Sequence, residues 1–253
     1  MNMLKLNLSR LSESSIFSTA SEDKDVGVRR GVARYPKTPI EILENLSEDK
    51  DFSVRACVAR REGLSLEILE RLSRDSEPQV RAIISKKSNL TPELYLRLSR
   101  DYDVAIRCAL ASNPNTPAKI ISQMSKDKNW AVRREVAVNP SAPVNILKKL
   151  SSDPEESVIL GVASNLNTPI KYLTRMVRSG KRVLQRTVAQ NPSLSIDLIS
   201  ELIENKYGEV RKVAESNSTY LQYLSDKESK EVNGYKDEVE SELQSFEPAS
   251  FAY

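Results

Sequence analysis

The sequence predicts an all-α protein of the α-solenoid type, built from about eight two-helix repeats, and three observations support this prediction. An apolar residue recurs every 26 residues without a slip, further apolar columns keep a fixed offset from it, and polar turn signals separate these columns. A strict period of this length is typical of stacked repeats. The repeats start at Val28, Val54, Val80, Ile106, Val132, Val158, Leu184 and Val210.

Each repeat is predicted to fold as two short helices. In the first repeat Val28 and Val32 share one helical face, and Ile42, Leu43 and Leu46 share another, because side chains three and four residues apart lie on the same side of a helix. Helices of about 10 residues are marginal in isolation, so each pair must bury its apolar face against neighbouring repeats.

Turn residues mark where each helix is expected to end and begin. Asn139 and Pro140 illustrate the end of a first helix, since Asn tolerates the left-handed backbone conformation and Pro cannot continue a helix. Thr116 and Pro117 illustrate the start of a second helix, where a hydroxyl N-cap precedes a ring suited to the first turn. A Ser-x-Asp turn, as at 47–49, then closes the second helix.

The unbroken period predicts one solenoid domain over residues 1–225, with an N-terminal half-repeat cap that includes Ile16 and Phe17. Residues 226–253 have an acidic, Ser-rich composition, which predicts a largely disordered tail with a helix over 236–244 left open. Two roles stay open for the tail: a docking motif built on its terminal aromatic residues, or an acidic lid over a basic repeat.

The composition excludes several classes of chemistry. The chain has no His, which removes an imidazole base, a Ser-His or Cys-His nucleophile pair and any His-containing metal site. Cys57 and Cys108 are too few for a disulfide framework or a four-cysteine cluster, and are expected to be ordinary thiols. No glycine-rich phosphate loop and no apolar run of membrane length occurs. We therefore expect a cytoplasmic protein that has no catalytic residues, cofactor or metal and no contact with membranes.

The repeat pattern resembles that of a known family. The pattern is Asp-x-x-Val-Arg-x-x-Val-Ala-x-Asn-Pro-x-Thr-Pro-x-x-Ile/Leu-Leu-x-x-Leu, spread over about residues 25–224 and clearest at 113–124 and 132–150. It resembles the leucine-rich repeat variant family. The resemblance implies a right-handed superhelix of paired short helices, akin to HEAT repeats, with protein binding as the usual role. The iron-sulfur cluster of some members is not implied, because no cysteine precedes Cys57.

A column of arginines directly after the repeat starts is the first candidate surface. The column comprises Arg29, Arg55, Arg81, Arg107, Arg133 and Arg211, and is interrupted by Ile159 and Gln185. One interpretation is a ladder for phosphates or acidic partners, which Arg binds through two parallel hydrogen bonds. The interpretation we favour pairs each arginine with an acidic residue three positions before the repeat start. These acidic residues are Asp25, Asp51, Glu77 and Asp103.

The second candidate is a basic patch in the repeat that starts at Val158, expected to bind an anionic ligand or partner. The patch comprises Lys171, Arg175, Arg178, Lys181, Arg182 and Arg186. The first three have helical spacing and are expected on one face of a second helix. Such a stripe suits RNA, DNA or an acidic protein, although few aromatic residues accompany it for base stacking.

The function predicted from these features is a non-enzymatic scaffold for protein–protein interaction, with a partner that the sequence does not identify. The first alternative is a nucleic-acid-binding HEAT-like solenoid. The second is a DNA alkylation-repair glycosylase, with Trp130 as a base-stacking platform. We favour packing between repeats as the role of Trp130, and place Tyr95 and Tyr172 in the core, since aromatic residues mostly serve burial.

Overall fold

The computed structural model of the protein describes residues 13–245, with side chains given for residues 15–232 and for Lys236. In this part of the chain the regular elements are α-helices, and no β-strand occurs. The chain forms two compact units that divide between Ile146 and Leu147. Within each unit the order is helix, turn, helix, turn, which confirms the predicted all-α repeat fold.

The first unit begins with a single helix, and pairs of first and second helices follow it. These helices are α1 (Glu13–Ser21), α2 (Val26–Arg34), α3 (Ile40–Leu46), α4 (Phe52–Ala59), α5 (Leu66–Leu72), α6 (Pro78–Ser85), α7 (Pro92–Leu98), α8 (Val104–Ala111), α9 (Ala118–Met124) and α10 (Trp130–Val138). The division between the units falls within α11 (Val144–Leu150). The even-numbered helices are the first helices of their repeats, and α2, α4, α6, α8 and α10 pack in that order.

The second unit continues the same alternation and ends in a long helix. Its helices are α12 (Glu156–Ser164), α13 (Ile170–Val177), α14 (Arg182–Ala189), α15 (Ile196–Ile203), α16 (Gly208–Glu215) and α17 (Ser218–Ser245). The first helices α12, α14 and α16 pack on one another in that order, and the second helix α13 packs on α15.

The predicted apolar columns form the core. In the repeat that starts at Val54, both first-helix positions, Val54 and Val58, are fully buried, as are Ile68 and Leu72 of the second helix. Burying one such side chain stabilises the fold by about 1.5–3 kcal/mol, so every repeat depends on its neighbours for most of its stability. The column is less buried at the N-terminal end, where Val28 is 39% exposed.

Both ends of the described chain depart from the regular repeat. At the N-terminal end α1 packs on α2 and α3, and the rings of Phe17 and Tyr35 lie 5.5 Å apart, which confirms the half-repeat cap. At the C-terminal end α17 replaces the second helix of the eighth repeat and packs on α15 and α16. This helix includes the range 236–244, over which the sequence allows a helix, and it begins 18 residues earlier, at Ser218. The predicted roles of the terminal aromatic residues fall on residues 246–253, outside the described residues, and the domain boundary after residue 225 stays a prediction.

The turn threonines differ in role, and Thr116 does not make the predicted N-cap. Thr116 Oγ1 donates to the carbonyl of Leu110 at 2.7 Å, and α9 begins only after Pro117, which makes no side-chain cap. The hydroxyl is buried beside the last turn of the first helix, where carbonyls lack intrahelical partners, so satisfying one of them takes precedence. Thr91 does act as the predicted cap, because Leu94 N donates to its Oγ1 at 3.4 Å.

The asparagines that end the first helices build a ladder between repeats. Asn113 Nδ2 donates to the carbonyls of Ser85 and Lys87 in the preceding repeat, at 2.9 and 2.8 Å, and its Oδ1 accepts from Asn115 N. The expected left-handed conformation is wrong, since no described residue other than Gly has a positive φ. Burial of the amide, which then needs hydrogen-bond partners, explains the position instead. The equivalent contacts recur at Asn139, Asn191 and Asn217.

Candidate functional site

The arginine column forms a buried ladder of ion pairs between successive repeats. Arg29 Nε donates to Asp49 Oδ2 at 2.6 Å, Nη2 donates to Oδ1 at 3.0 Å, and Nη1 donates to the carbonyl of Asp23 at 2.8 Å. The side chains of this pair are 6% and 7% exposed. The same fork recurs in Arg55–Asp75, Arg81–Asp101 and Arg107–Asp127, with Nε–Oδ2 distances of 2.6–2.7 Å. Two parallel charge-assisted hydrogen bonds are the strong arrangement for Arg and a carboxylate.

The ladder pairs stay charged at neutral pH. Burial raises the pKa of Asp49, but the hydrogen bonds from Arg29 and from the backbone of Asp51 outweigh it and leave the pKa below its usual value. Asp127, held by Arg107, has a lowered pKa for the same reasons. Because every guanidinium in these pairs is already occupied, the arginines hold the repeats together rather than bind ligands. The pairing interpretation is thus confirmed for Arg29, Arg55, Arg81 and Arg107, whereas Arg211 donates to the backbone carbonyl of Asn205 at 2.7 Å.

The partners predicted for the arginines are nevertheless wrong. Asp25, three positions before the repeat start, is the N-cap of α2 and accepts from Gly27 N at 2.7 Å. Its carboxylate is drawn to the free N–H groups of the helix that it precedes, whereas the arginine extends toward the following repeat. Asp51 and Asp103 cap their helices in the same way, and Glu77 makes no capping hydrogen bond.

The ladder is interrupted in the repeat that starts at Val158. Ile159 takes the position of the arginine, and Ser179 takes the position of the aspartate 20 residues later. Both side chains are shorter than the residues they replace, so no Arg–Asp fork can form at these positions. A groove of about 720 Å³ lies there, and Ile159, Tyr172 and Ser179 are among its lining residues. We call this cavity the α13 groove.

The structure brings four of the six predicted patch residues to the α13 groove, namely Lys171, Arg175, Arg178 and Lys181. Arg182 and Arg186 lie on α14, and all six side chains are exposed. Three of the six form ion pairs at the protein surface: Arg178 with Glu201 at 3.2 Å, Lys181 with Glu156 at 3.7 Å and Arg182 with Glu209 at 3.0 Å.

Arg71 stands at the same repeat position as Arg175 and shows how acidic neighbours can engage an arginine there. Arg71 of α5 lies 3.0 Å from both Glu48 and Glu67, and its Nη1 donates to Ser47 Oγ at 2.7 Å. Its guanidinium is therefore neutralised and held against the preceding repeat. Arg71 has no spare capacity for a partner.

Arg175 lies four repeats further on, at the same repeat position, but the two glutamates that pair with Arg71 have no counterparts beside it. Ser152 takes the position of Glu48, and Lys171 takes the position of Glu67. Within residues 15–232, neither Arg175 nor Lys171 forms an ion pair or a side-chain hydrogen bond. The groove thus presents two exposed cations, one helical turn apart, and neither is paired with Asp153, the carboxylate that lines the same groove.

The sequence analysis did not identify the polar and apolar residues that line the groove together with the basic ones. Ser151, Ser152, Ile159 and Ser179 line it alongside the basic residues. A signal was present in the sequence, because the arginine column and the aspartate of the Ser-x-Asp turn lapse together at Ile159 and Ser179. Reading that signal requires knowing that these two columns are partners.

The other residues with a proposed chemical role do not form a second site. Trp130 opens α10 and is 44% exposed, so it is not enclosed between repeats as expected. Tyr95 is buried as predicted, whereas Tyr172 is half-buried in the groove wall. Cys57 and Cys108 are free thiols, and burial raises the pKa of Cys108.

Among the described residues, no three His, Cys, Asp or Glu side chains lie close enough together to hold a metal ion. None of the helices in residues 13–245 has both the length and the apolar character that crossing a membrane requires.

Comparison with solved structures defines the class of fold. One match is described as a leucine-rich repeat variant with a novel repetitive protein structural motif; it is 25% identical, covers 79% of each chain and has a TM-score of 0.60. Another, described as an engineered protein, is 13% identical over 85% of this chain and 98% of that one, with a TM-score of only 0.23. No protein-family model and no curated protein matches the chain.

The protein is therefore an all-α repeat protein whose short helices pair in a 26-residue unit. More particularly, its fold is similar to that of the leucine-rich repeat variant, as the repeat pattern had indicated.

Proposed function

We propose that the protein is a cytoplasmic, non-enzymatic scaffold, and that the α13 groove binds an acidic segment of a partner protein. The observation that carries this proposal is the pair Lys171 and Arg175, which is exposed at a groove and forms no ion pair within residues 15–232. The carboxylate of Asp153 also lines the groove and accepts from Glu155 N at 3.0 Å. The equivalent arginine, Arg71, is fully paired. Unpaired cations at a concave surface attract anionic partners.

The dimensions and lining of the groove suit side chains of a peptide. Its volume of about 720 Å³ lies within the range typical of ligand sites. Met176 and Leu184 are buried and contribute apolar surface to the groove, while the basic residues that line it are exposed. A partner segment can therefore place an apolar side chain against the wall and an acidic one beside Arg175, which is how interfaces combine an apolar centre with a polar rim.

A nucleic acid is the second candidate, because Tyr172 lies in the groove wall beside basic residues and offers a face for base stacking. The surroundings favour a peptide. Glu156, Glu201 and Glu209 pair with basic residues of the patch. A continuous phosphate backbone would pass these carboxylates, whereas a short acidic segment meets only the unpaired cations.

A fluorescence anisotropy titration tests the proposal. The probes are a short labelled peptide of alternating Glu and Gly and a single-stranded DNA of the same charge, each at low and at physiological salt. We expect the peptide to bind, and to bind at least about tenfold more weakly to the variant Lys171→Ala/Arg175→Ala, since charged hydrogen bonds contribute about 1.5–3 kcal/mol each. The DNA is expected to bind more weakly than the peptide at physiological salt.

The matched control is Lys119→Ala/Lys126→Ala, which removes the same charge from exposed positions in the first unit. We expect this control to bind the peptide like the unmodified protein. An intact protein that binds no acidic peptide, or a control that weakens as much as the groove variant, contradicts the proposal. Tighter binding of DNA that falls steeply with salt establishes the second candidate instead.

A further inference from the structure

We infer that the α13 groove recognises a phosphorylated side chain of its partner, held between Arg175 and Lys171. This inference rests on the proposed function, because it names the group that the acidic segment inserts. It assigns the anion contact to two residues of one helix, one turn apart on α13.

The charge at the groove matches a phosphate monoester better than a carboxylate. Lys171 and Arg175 lie four residues apart on α13, so both can reach one anion. A phosphorylated serine or threonine carries a charge of about −1.5 to −2 at neutral pH, whereas Glu or Asp carries only one negative charge. A phosphate neutralises both cations, and a carboxylate leaves one of them in excess.

The hydrogen-bond donors at the groove are also those that a phosphate needs. The guanidinium of Arg175 is a planar fork suited to two phosphate oxygens, and Lys171 can reach the third as a point charge. Ser152 lines the groove and its hydroxyl makes no hydrogen bond with the described residues, so it can donate as well. The neighbouring Ser151 hydroxyl is already used, since it donates to the carbonyl of Lys148 at 2.8 Å.

Two further cations at the groove can also contact the bound phosphate at little cost in free energy. Arg178 and Lys181 are 63% and 60% exposed and pair with Glu201 and Glu156 at 3.2 and 3.7 Å. Exposed ion pairs of this kind contribute only about 0–1 kcal/mol, so exchanging a glutamate for a phosphate dianion costs little. The groove therefore has two unpaired cations that can bind the anion directly and two paired cations that can exchange their glutamates for it.

The single anion-binding site also explains why a phosphopeptide fits better than RNA or DNA. The free cations are confined to Lys171 and Arg175 within the groove, and the paired ones lie beside Glu156 and Glu201. A polynucleotide needs basic residues that follow successive phosphates along its backbone. One phosphate on a peptide needs only the pair that the groove supplies.

The test compares three labelled peptides of one acidic sequence that differ at a central position, which is serine, glutamate or phosphoserine. The proteins are the full chain, Arg175→Lys and the control Lys119→Ala, an exposed residue of the first unit. We expect the phosphoserine peptide to bind about tenfold tighter than the glutamate peptide to the full chain and to the control. Arg175→Lys keeps the charge but loses the fork, so this preference should shrink to less than about threefold while affinity for the glutamate peptide changes little.

A pH series adds an independent readout. The second ionisation of a phosphate monoester has a pKa of about 6, so the phosphoserine preference should fall between about pH 7.5 and pH 5, while binding of the glutamate peptide changes little over that interval.

The outcomes separate the two proposals. Equal affinity for the phosphoserine and glutamate peptides overturns the phosphate inference and leaves the scaffold proposal standing. Failure of all three peptides to bind overturns both. A single-stranded DNA of matched charge that binds more tightly than the phosphoserine peptide overturns both in favour of nucleic acid.

Discussion

Replacing Arg107 with Met tests whether the arginine ladder holds the repeats together. Arg107 donates to both carboxylate oxygens of Asp127, at 2.7 and 3.2 Å, and to the carbonyl of Asp101 at 2.7 Å, in a pair whose side chains are 7% and 11% exposed. The substitution keeps most of the apolar volume but leaves the aspartate buried without its counter-ion. Removing one partner of a buried ion pair costs about 3–5 kcal/mol of unfolding free energy. The total free energy of unfolding of a domain is only about 5–15 kcal/mol.

The assay is urea unfolding followed by circular dichroism. We expect Arg107→Met to lower the midpoint by more than about 1 M, taking a denaturant dependence of about 3 kcal/mol per M. Replacing Asp127 with Leu as well should recover much of the loss, because an apolar pair removes the stranded charge. The matched control is Arg134→Met, which removes an arginine whose side chain is 48% exposed and should cost no more than about 1 kcal/mol. The ladder account is refuted if the Arg107 and Arg134 variants unfold at the same midpoint.

Two further predictions concern stability. Asn191→Ala removes the amide that donates to the carbonyls of Ala163 and Asn165, the second of which still accepts from Thr168 N, and should cost about 1–3 kcal/mol in the same urea assay. A midpoint equal to that of the unmodified protein would contradict the asparagine ladder. Asp49 and Asp127 have pKa values below those of the unfolded chain, so the stability they add is present above about pH 4 and is lost as the pH falls through their folded values. Urea midpoints measured from neutral to acidic pH should drop over that interval, and a flat profile would exclude charged ladder pairs.

The fold could be predicted from the sequence because one period governs every repeat. Val54 and Leu72 stand in columns that stay apolar along the chain, and a residue that is buried in one repeat is buried in the next. Helix type, core positions and the N-terminal cap follow from that regularity.

The polar contacts between repeats could not be predicted in the same way. The arginine of each repeat is close in sequence to the aspartate that caps its own helix, so Arg29 was paired with Asp25. Its partner in the structure is Asp49, 20 residues later, in the turn after the next second helix. Helical spacing describes neighbours on one helix, and it carries no information about which turn the following repeat places beside the arginine.

The basic residues of the candidate site could be predicted from the sequence, but the groove beside them could not. Lys171 and Arg175 were recognisable as a basic stripe from their spacing alone. The groove beside them is lined by Ile159 and Ser179, which stand where the earlier repeats carry the paired Arg and Asp. An absence of this kind becomes visible only once the ladder pairing is known.

The central claim is that positions 159 and 179, which line the α13 groove, are the ladder partners that carry Arg and Asp in the earlier repeats. The most direct measurement is the coupling free energy between Ile159→Arg and Ser179→Asp, obtained from urea unfolding of both single variants and the double variant. If the two positions are ladder partners, each substitution alone introduces a stranded charge, and the double variant should be more stable than the sum of the single effects by at least about 1 kcal/mol. Additive effects of the two substitutions would contradict the claim.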